Sequence, residues 1–181
     1  KSFKSSTTKI LLKSFDHDTL NYVIEKTFLE RYKSVDEYLK NIDPITFESL
    51  CSFYIGLLGC DNIRITRRSS DQGIDFYGVL PHEQNQLFRP NAEKNYLIGQ
   101  AKLYTAKVGT GEIREFIGSI ELIKLRVSSG KAYSYKFASE IKHFTLISPI
   151  FISSSSFSRD ALEIADRVGI KTVNIVQLIT L

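Results

Sequence analysis

The sequence predicts an α/β sandwich built on a mixed sheet, and a few observations carry that prediction. Short β-branched and aromatic runs alternate with helical stretches across residues 62–176. The first runs are separated by a turn and a polar excursion, so they pair as an antiparallel hairpin. The later ones are joined through helices, which is how parallel strands are connected. At 181 residues and 43% apolar, the chain can bury one proper core.

Residues 1–16 are basic and rich in Ser and Thr, with Lys1, Lys4, Lys9 and Lys13, and read as a linker or loosely attached segment. Residues 18–41 space Leu20, Val23, Ile24 and Phe28, then Val35, Tyr38 and Leu39, at helical intervals. Two helices are expected there, the second capped by Ser34. Asp43-Pro44 then signals a helix start, with Asp as N-cap and Pro in the first turn. That helix runs to about Leu58 and stops at Gly59, burying Phe47, Leu50, Cys51, Tyr54 and Leu58, with Glu48 at the edge of the stripe.

Residues 62–68 set Ile63 and Ile65 against Arg64 and Thr66 in period two, a half-buried strand. Residues 69–73 form a turn, 74–80 a second strand, 81–95 a surface excursion and 96–104 a third strand. Thr110 is expected to cap a helix with the face Ile113, Phe116, Ile117, Ile120 and Val127, ended by Ser128-Ser129-Gly130. An apolar strand over 144–153, a turn over 153–156, a helix over 158–168 stopped by Gly169 and a last strand over 171–176 complete the pattern.

Composition sets bounds. Lys plus Arg total 24 against 20 acids, a formal net charge of +4 that permits nucleic-acid binding without demonstrating it. The absence of methionine, position 1 included, suggests a processed or excised piece of a longer protein. Cys51 and Cys60 form no CxxC pair, and no secretory leader or membrane-spanning run is visible. A soluble, cytoplasmic protein is the expectation. His17, His82 and His143 lack zinc spacing, and there is no Walker loop, GxGxxG or GxSxG.

Two segments carry the chemistry. Asp71-Gln72-Gly73-Ile74-Asp75 ends in a carboxylate at the start of an apolar strand. Gln100-Ala101-Lys102 sets an amide and an ammonium two residues apart, so both project from one face of another strand. A carboxylate, a neutral oxygen ligand and a lysine brought together can hold a hard divalent cation and a water beside a phosphodiester. The backbone carbonyl of Ala101 is a further candidate ligand. Taken singly, each residue has an ordinary reading: Asp75 as a turn residue, Gln100 as a solvent-facing strand residue, Lys102 as a snorkelling surface lysine, Glu48 as a solvated helix charge. Arg67, Arg68, Tyr104 and Lys107 flank the two segments and are candidate DNA contacts, with a solvated loop charge as the competing reading. Residues 154–158 precede a helix N-terminus, which reads as a turn and cap or as a phosphate site.

Together, Phe47-Glu48-Ser49-Leu50, Gly59, Asp71-Gln72-Gly73-Ile74-Asp75, Gln100-Ala101-Lys102, Val108-Gly109, Ile113-Arg114-Glu115-Phe116-Ile117-Gly118 and Ile152-Ser153-Ser154-Ser155-Ser156-Phe157-Ser158 with Ala161 resemble the Mrr-like branch of the PD-(D/E)XK nuclease superfamily. The resemblance covers residues 44–181 in unbroken order. It implies a restriction-endonuclease-like three-layer sandwich in which Asp75 and Gln100 bind the metal, Lys102 assists the water and Glu48 is the helix carboxylate. Gln100 stands where the superfamily usually has an acid, a departure shared by this branch. The polar insert between the motif strands is longer than usual.

These readings combine into one expectation: residues 1–43 as a basic linker and helical lead-in, and 44–181 as a nuclease domain. That domain would hydrolyse double-stranded DNA with Mg²⁺, or Mn²⁺ as a substitute, as the cleavage module of a type II or type IV restriction enzyme. It would cut as a homodimer, with a separate recognition domain elsewhere in the parent protein. The alternatives are a Holliday-junction-resolvase-like nuclease and a non-catalytic nucleic-acid-binding module of the same fold.

Overall fold

The computed structural model describes residues 17–66, 73–80, 94–125, 138, 140–141 and 145–180. The chain divides into two compact units, Lys1–Asn41 and Ile42–Leu181. In the first, helix α1 spans His17–Lys40 without a break. The expected pair of helices capped at Ser34 is therefore one helix. Ser34 lies inside it, and its hydroxyl donates to the Glu30 carbonyl at 3.0 Å. A serine bonded back one turn does not end a helix, and no Gly or Pro stands between His17 and Lys40 to do so. The Phe28–Tyr32 ring pair and the Asp36–Lys40 ion pair add support at i,i+4 spacing.

The second unit begins with α2 (Pro44–Leu57). The Asp43 carboxylate accepts from the Thr46 N–H at 2.9 Å, and Pro44 needs no donor partner in the first turn. Leu58 caps the C-terminus, and Gly59 follows at φ +87°, a conformation that favours glycine. Then come β1 (Asp61–Ile65), β2 (Phe76–Leu80), β3 (Asn95–Lys102), α3 (Thr110–Lys124), β4 (Leu146–Ser153), α4 (Arg159–Val168), β5 (Lys171–Val173) and α5 (Ile175–Ile179). The five strands lie side by side in chain order. β1, β2 and β3 pair antiparallel, and β3, β4 and β5 pair parallel. The predicted mixed α/β sheet is thus the observed one.

Three local expectations change. The α3 cap is Gly109 rather than Thr110. Val108 is tied to the β4–α4 loop by bonds to Ser156 O and from Ser158 N, both 2.9 Å, so the first free residue is Gly109 and the helix starts directly after it. Glu112 Oε2 accepts from the Gly109 N–H at 3.1 Å, the half of a capping box that needs no side chain at the cap. The last strand ends at Val173 instead of Val176. Asn174 Oδ1 accepts from Gln177 N at 3.1 Å while Gln177 Oε1 accepts from Asn174 N at 2.9 Å, and this reciprocal pair opens α5. In β1 only Ile63 is half-buried; Ile65 is 43% exposed, because β1 is an edge strand. The expected α3 stop at 128–130, the excursion over 81–93 and the turn at 69–72 lie outside the described residues.

Both faces of the sheet are covered. Tyr96, Ile98 and Phe151 point to the side of α3 and α4, where Ile113, Phe116, Ile120, Ala161 and Ala165 close the main core. Phe151 meets Phe116 and Phe157 edge-on, with ring centroids 5.6 and 5.8 Å apart. Phe76, Leu97 and Ile152 lie on the other face, and α2 covers the β1–β3 half of it with Phe47, Cys51, Tyr54 and Ile55. Gly99 sits opposite Phe76 in the ladder, and a Cβ there would fall 2.0 Å from the Phe76 ring. The ring lies on bare backbone, which holds the centre of the β2–β3 pair closed.

Candidate active site

Asp75 stands one residue before β2, where the ladder to β3 is about to open. Its backbone is held from both sides. Asp75 N donates to Gly99 O at 2.9 Å, and Thr66 N donates to Asp75 O at 2.8 Å. The Thr66 hydroxyl adds a 2.5 Å bond to Ile74 O. Beyond this point the strands diverge, and the next β3 donor, Ala101 N–H, is met by the Asp75 side chain: Oδ2 accepts at 2.7 Å. The carboxylate is thus wedged between the strands at the mouth of the sheet. Two residues earlier, Gly73 takes φ +67°, and a Cβ there would fall 2.5 Å from Ser119 Oγ on α3 and 3.6 Å from Gln100 Nε2. Only glycine lets the turn into Asp75 seat this closely on α3.

The paired register ends at Phe76↔Gly99; Asp75 N still bonds Gly99 O, and its side chain reaches Ala101 N, the residue after Gln100. Gln100 continues the Tyr96 and Ile98 face and is only 4% exposed, so it is not a solvent-facing residue. Its Oε1 is buried without a hydrogen-bond partner. A buried amide oxygen left unsatisfied costs about 1–3 kcal/mol, which is a poor arrangement for stability and a good one for receiving a ligand. Lys102 follows two residues on, half-buried, on the same face of β3.

Glu48 projects from α2 and is half-buried. Cys51, three residues on from Glu48 along α2, is fully buried against the sheet. Burial above all, then the charges of Asp75 and Glu48, raise the Cys51 pKa, so both carboxylates lie within electrostatic reach of one sulfur. Asp75, the Ala101 N–H that it binds and the Lys102 end of β3 lie at the open end of the β2–β3 pair; Gln100 and Lys102 share one face of β3, and α2, which carries Glu48, covers the other. Tyr104 and Lys107 are exposed on the segment after β3. Arg67 and Arg68 lie outside the described residues.

Among the described residues, no group of three or more His, Cys, Asp or Glu could hold a metal ion. A cation here would need the Asp75 carboxylate, the unpartnered Gln100 oxygen and a backbone carbonyl such as that of Ala101. These are all hard oxygen donors, and the set is too small to fill an octahedral shell. That suits Mg²⁺, which keeps several waters and shares its remaining positions with phosphate. The donors present fit such an ion.

Sequence reasoning missed the supporting residues. Thr66 was read as the solvent-facing member of an alternating pair, yet it fastens the backbone at Ile74 and Asp75. Ser154, one of four consecutive serines, donates its N–H to Lys102 O at 3.1 Å. Its hydroxyl accepts from Tyr104 N at 2.8 Å and donates to Tyr104 O at 2.9 Å. Nothing in the serine run singles it out, because its partners stand fifty residues away.

A family model described as restriction endonuclease, of the Mrr catalytic type, matches residues 39–132, just over half of the chain, from the end of α1 through α2, the three antiparallel strands and α3. Two solved structures share the fold. One is the MspJI restriction endonuclease in complex with a 27-mer oligonucleotide, at 18% identity and TM-score 0.51, covering 82% of this chain and 29% of that one. The other is the DNA modification-dependent restriction endonuclease AspBHI, at 20% identity and TM-score 0.54, covering 82% of this chain and 35% of that one. The chain thus spans about a third of the length of these two. No curated protein matches its sequence. With the family model spanning most of the site and the sheet reproducing the fold, the chain belongs to the Mrr-type restriction endonuclease catalytic family.

Proposed function

We propose that this chain is the cleavage module of a restriction enzyme, a Mg²⁺-dependent endonuclease that hydrolyses phosphodiesters in double-stranded DNA. One observation carries the reading: the Asp75 carboxylate accepts from the N–H of Ala101, the residue between Lys102 and Gln100, whose buried Oε1 has no partner. Asp75, Gln100 and the Ala101 carbonyl hold the cation, with Mn²⁺ an acceptable substitute. The chemistry such an ion supplies is neutralisation of phosphate charge and a lower pKa for its water. Lys102 orients the attacking water and offsets the negative charge that grows on the phosphate oxygens. Glu48 acts from α2 as an outer carboxylate. In the overall reaction the water oxygen bonds to phosphorus, a P–O bond of the backbone breaks, and the departing oxygen ends as a hydroxyl.

Residues 1–43 form the lead-in and 44–181 the nuclease domain in this proposal. Arg67, Arg68, Tyr104 and Lys107 contact phosphates beside the scissile bond. Cutting both strands takes two sites, so the module works as a homodimer, with base recognition supplied elsewhere in the parent protein of type II or type IV. Among the described residues, no helix is long and apolar enough to cross a membrane. Cytoplasmic action on DNA is part of the same proposal.

The test is incubation with plasmid in Mg²⁺, in EDTA, and in Mg²⁺ with a Lys102→Ala variant. Cleavage in the first tube alone is expected. Equal loss of DNA in all three sinks the metal-nuclease reading, and DNA retention without cleavage in any favours a binding module.

A further inference from the structure

We infer that Ser154 is a positioning residue for Lys102, an inference that rests on the reading above in which Lys102 assists the water. Lys102 is the last residue of β3, the point at which a strand loses its ladder and its end becomes free to sway. Its nearest fixed neighbour is Ser153, its register partner on β4 and fully buried. Past that pair, the chain after β3 runs beside the chain after β4 until Val108 bridges to Phe157. Backbone bonds close this seam at both ends, from Ser154 N to Lys102 O at 3.1 Å and from Val108 N to Ser156 O at 2.9 Å.

Between those ends the Ser154 hydroxyl bridges the seam. It accepts from Tyr104 N and donates to Tyr104 O, at 2.8 and 2.9 Å, so one side chain satisfies both backbone groups of the residue two beyond Lys102. Counting its own N–H, Ser154 fixes the chain immediately at and after Lys102 through three bonds. The Lys102 Cα and the exit direction of the strand are thereby set by the residue that follows β4. A long lysine side chain amplifies small rotations at its base, and misplacing a catalytic group by about 1 Å can cost roughly 100-fold in rate. Ser154 has no role in holding substrate here; its effect runs through Lys102.

Steady-state cleavage of a short duplex in Mg²⁺ is compared for the wild type, Ser154→Ala, Ser154→Thr, Lys102→Ala and the double variant Ser154→Ala/Lys102→Ala. Ser154→Ala should lower kcat roughly 10- to 100-fold with KM unchanged within about twofold, and Ser154→Thr, which keeps the hydroxyl, should recover most of it. In the Lys102→Ala background, Ser154→Ala should add nothing further, because residues acting as a unit are not additive. Hydrogen exchange on the same samples should show residues 103–106 losing protection in Ser154→Ala while 96–101 keep theirs. Wild-type kcat in Ser154→Ala with Lys102→Ala inactive overturns this inference alone. So does equal exchange of 103–106 in both proteins, or a loss that Ser154→Thr does not rescue. Full activity of Lys102→Ala, or no cleavage by the wild type, sinks the underlying functional reading instead.

Discussion

The antiparallel and parallel halves of the sheet share β3 but are built for different ends. The parallel half is dry at its centre: Phe151 and Ile152 are fully buried, and Phe151 is clamped between two other rings. The antiparallel half is looser at its edge, where β1 shows four exposed positions of five. It also carries the unusual polar arrangements, the Asp75 carboxylate wedged between strands and the Gln100 oxygen without a partner. β3 is buried along its whole interior and serves both. The contrast teaches a division of labour in which one half is packed and the other carries the polar residues that the proposal makes catalytic.

The largest effect that sharpens this contrast is on activity. Asp75→Asn keeps an oxygen to accept from Ala101 N–H but loses the charge, so the fold should survive. Cleavage should fall roughly 10³-fold, the scale expected when charge aimed at a reacting centre is removed. Rates within a few-fold of wild type would place the chemistry elsewhere. The matching stability contrast lies between halves. Phe151→Ala should cost about 3–5 kcal/mol in urea unfolding. Ile65→Ala on the exposed edge should stay within about 0.5 kcal/mol. Similar costs for both would erase the distinction.

A smaller effect separates function from stability within β3 itself. Gln100→Leu conserves volume and removes a buried acceptor that has no partner, so stability should rise by about 1 kcal/mol. The same variant should lose cleavage and bind Mn²⁺ more weakly by calorimetry. A destabilisation of similar size would mean that the amide oxygen already has a structural partner, and the ligand reading would lose its main support.

How far the sequence could reach follows the same division. Period-two runs and turn residues made β1, β2 and β3 and their antiparallel hairpin order legible without any long-range information. The α2 ends were legible because Asp43, Pro44 and Gly59 act on their own neighbours. Ser34 misled because a serine can cap a helix or bond back within one, and the choice depends on the continuity of the helix around it. The α5 start was missed because Asn174 follows directly on a strand, so Val176 extended the apolar run. Thr66 and Ser154 hold the backbone beside Asp75 and Lys102 through contacts made across the fold, and no local pattern encodes such contacts.

The smallest expected effect is alkaline, and it also distinguishes the halves. Burial pushes the Cys60 thiol up to about 11, with Asp61 adding to the shift, and burial likewise raises Cys51, Tyr54, Tyr77 and Tyr96. For Tyr96 the bond to Glu140 adds to burial. All five lie on α2, just before β1, or on β2 and β3; among the described residues the strands β4 and β5 carry no such group. The sign follows from linkage. An unfolded thiol ionises near 9.0, whereas the folded Cys60 holds its proton to about 11, so stability is full below the lower value and is lost as pH rises toward the upper one. Between pH 9 and 10.5 the wild type should therefore lose more stability in urea than Cys60→Ser, and hydrogen exchange should quicken first across α2, β1 and β2. Uniform loosening of all five strands, or identical slopes for the two proteins, would show that the thiol titrates alike folded and unfolded and that the antiparallel half is not the weaker partner in base.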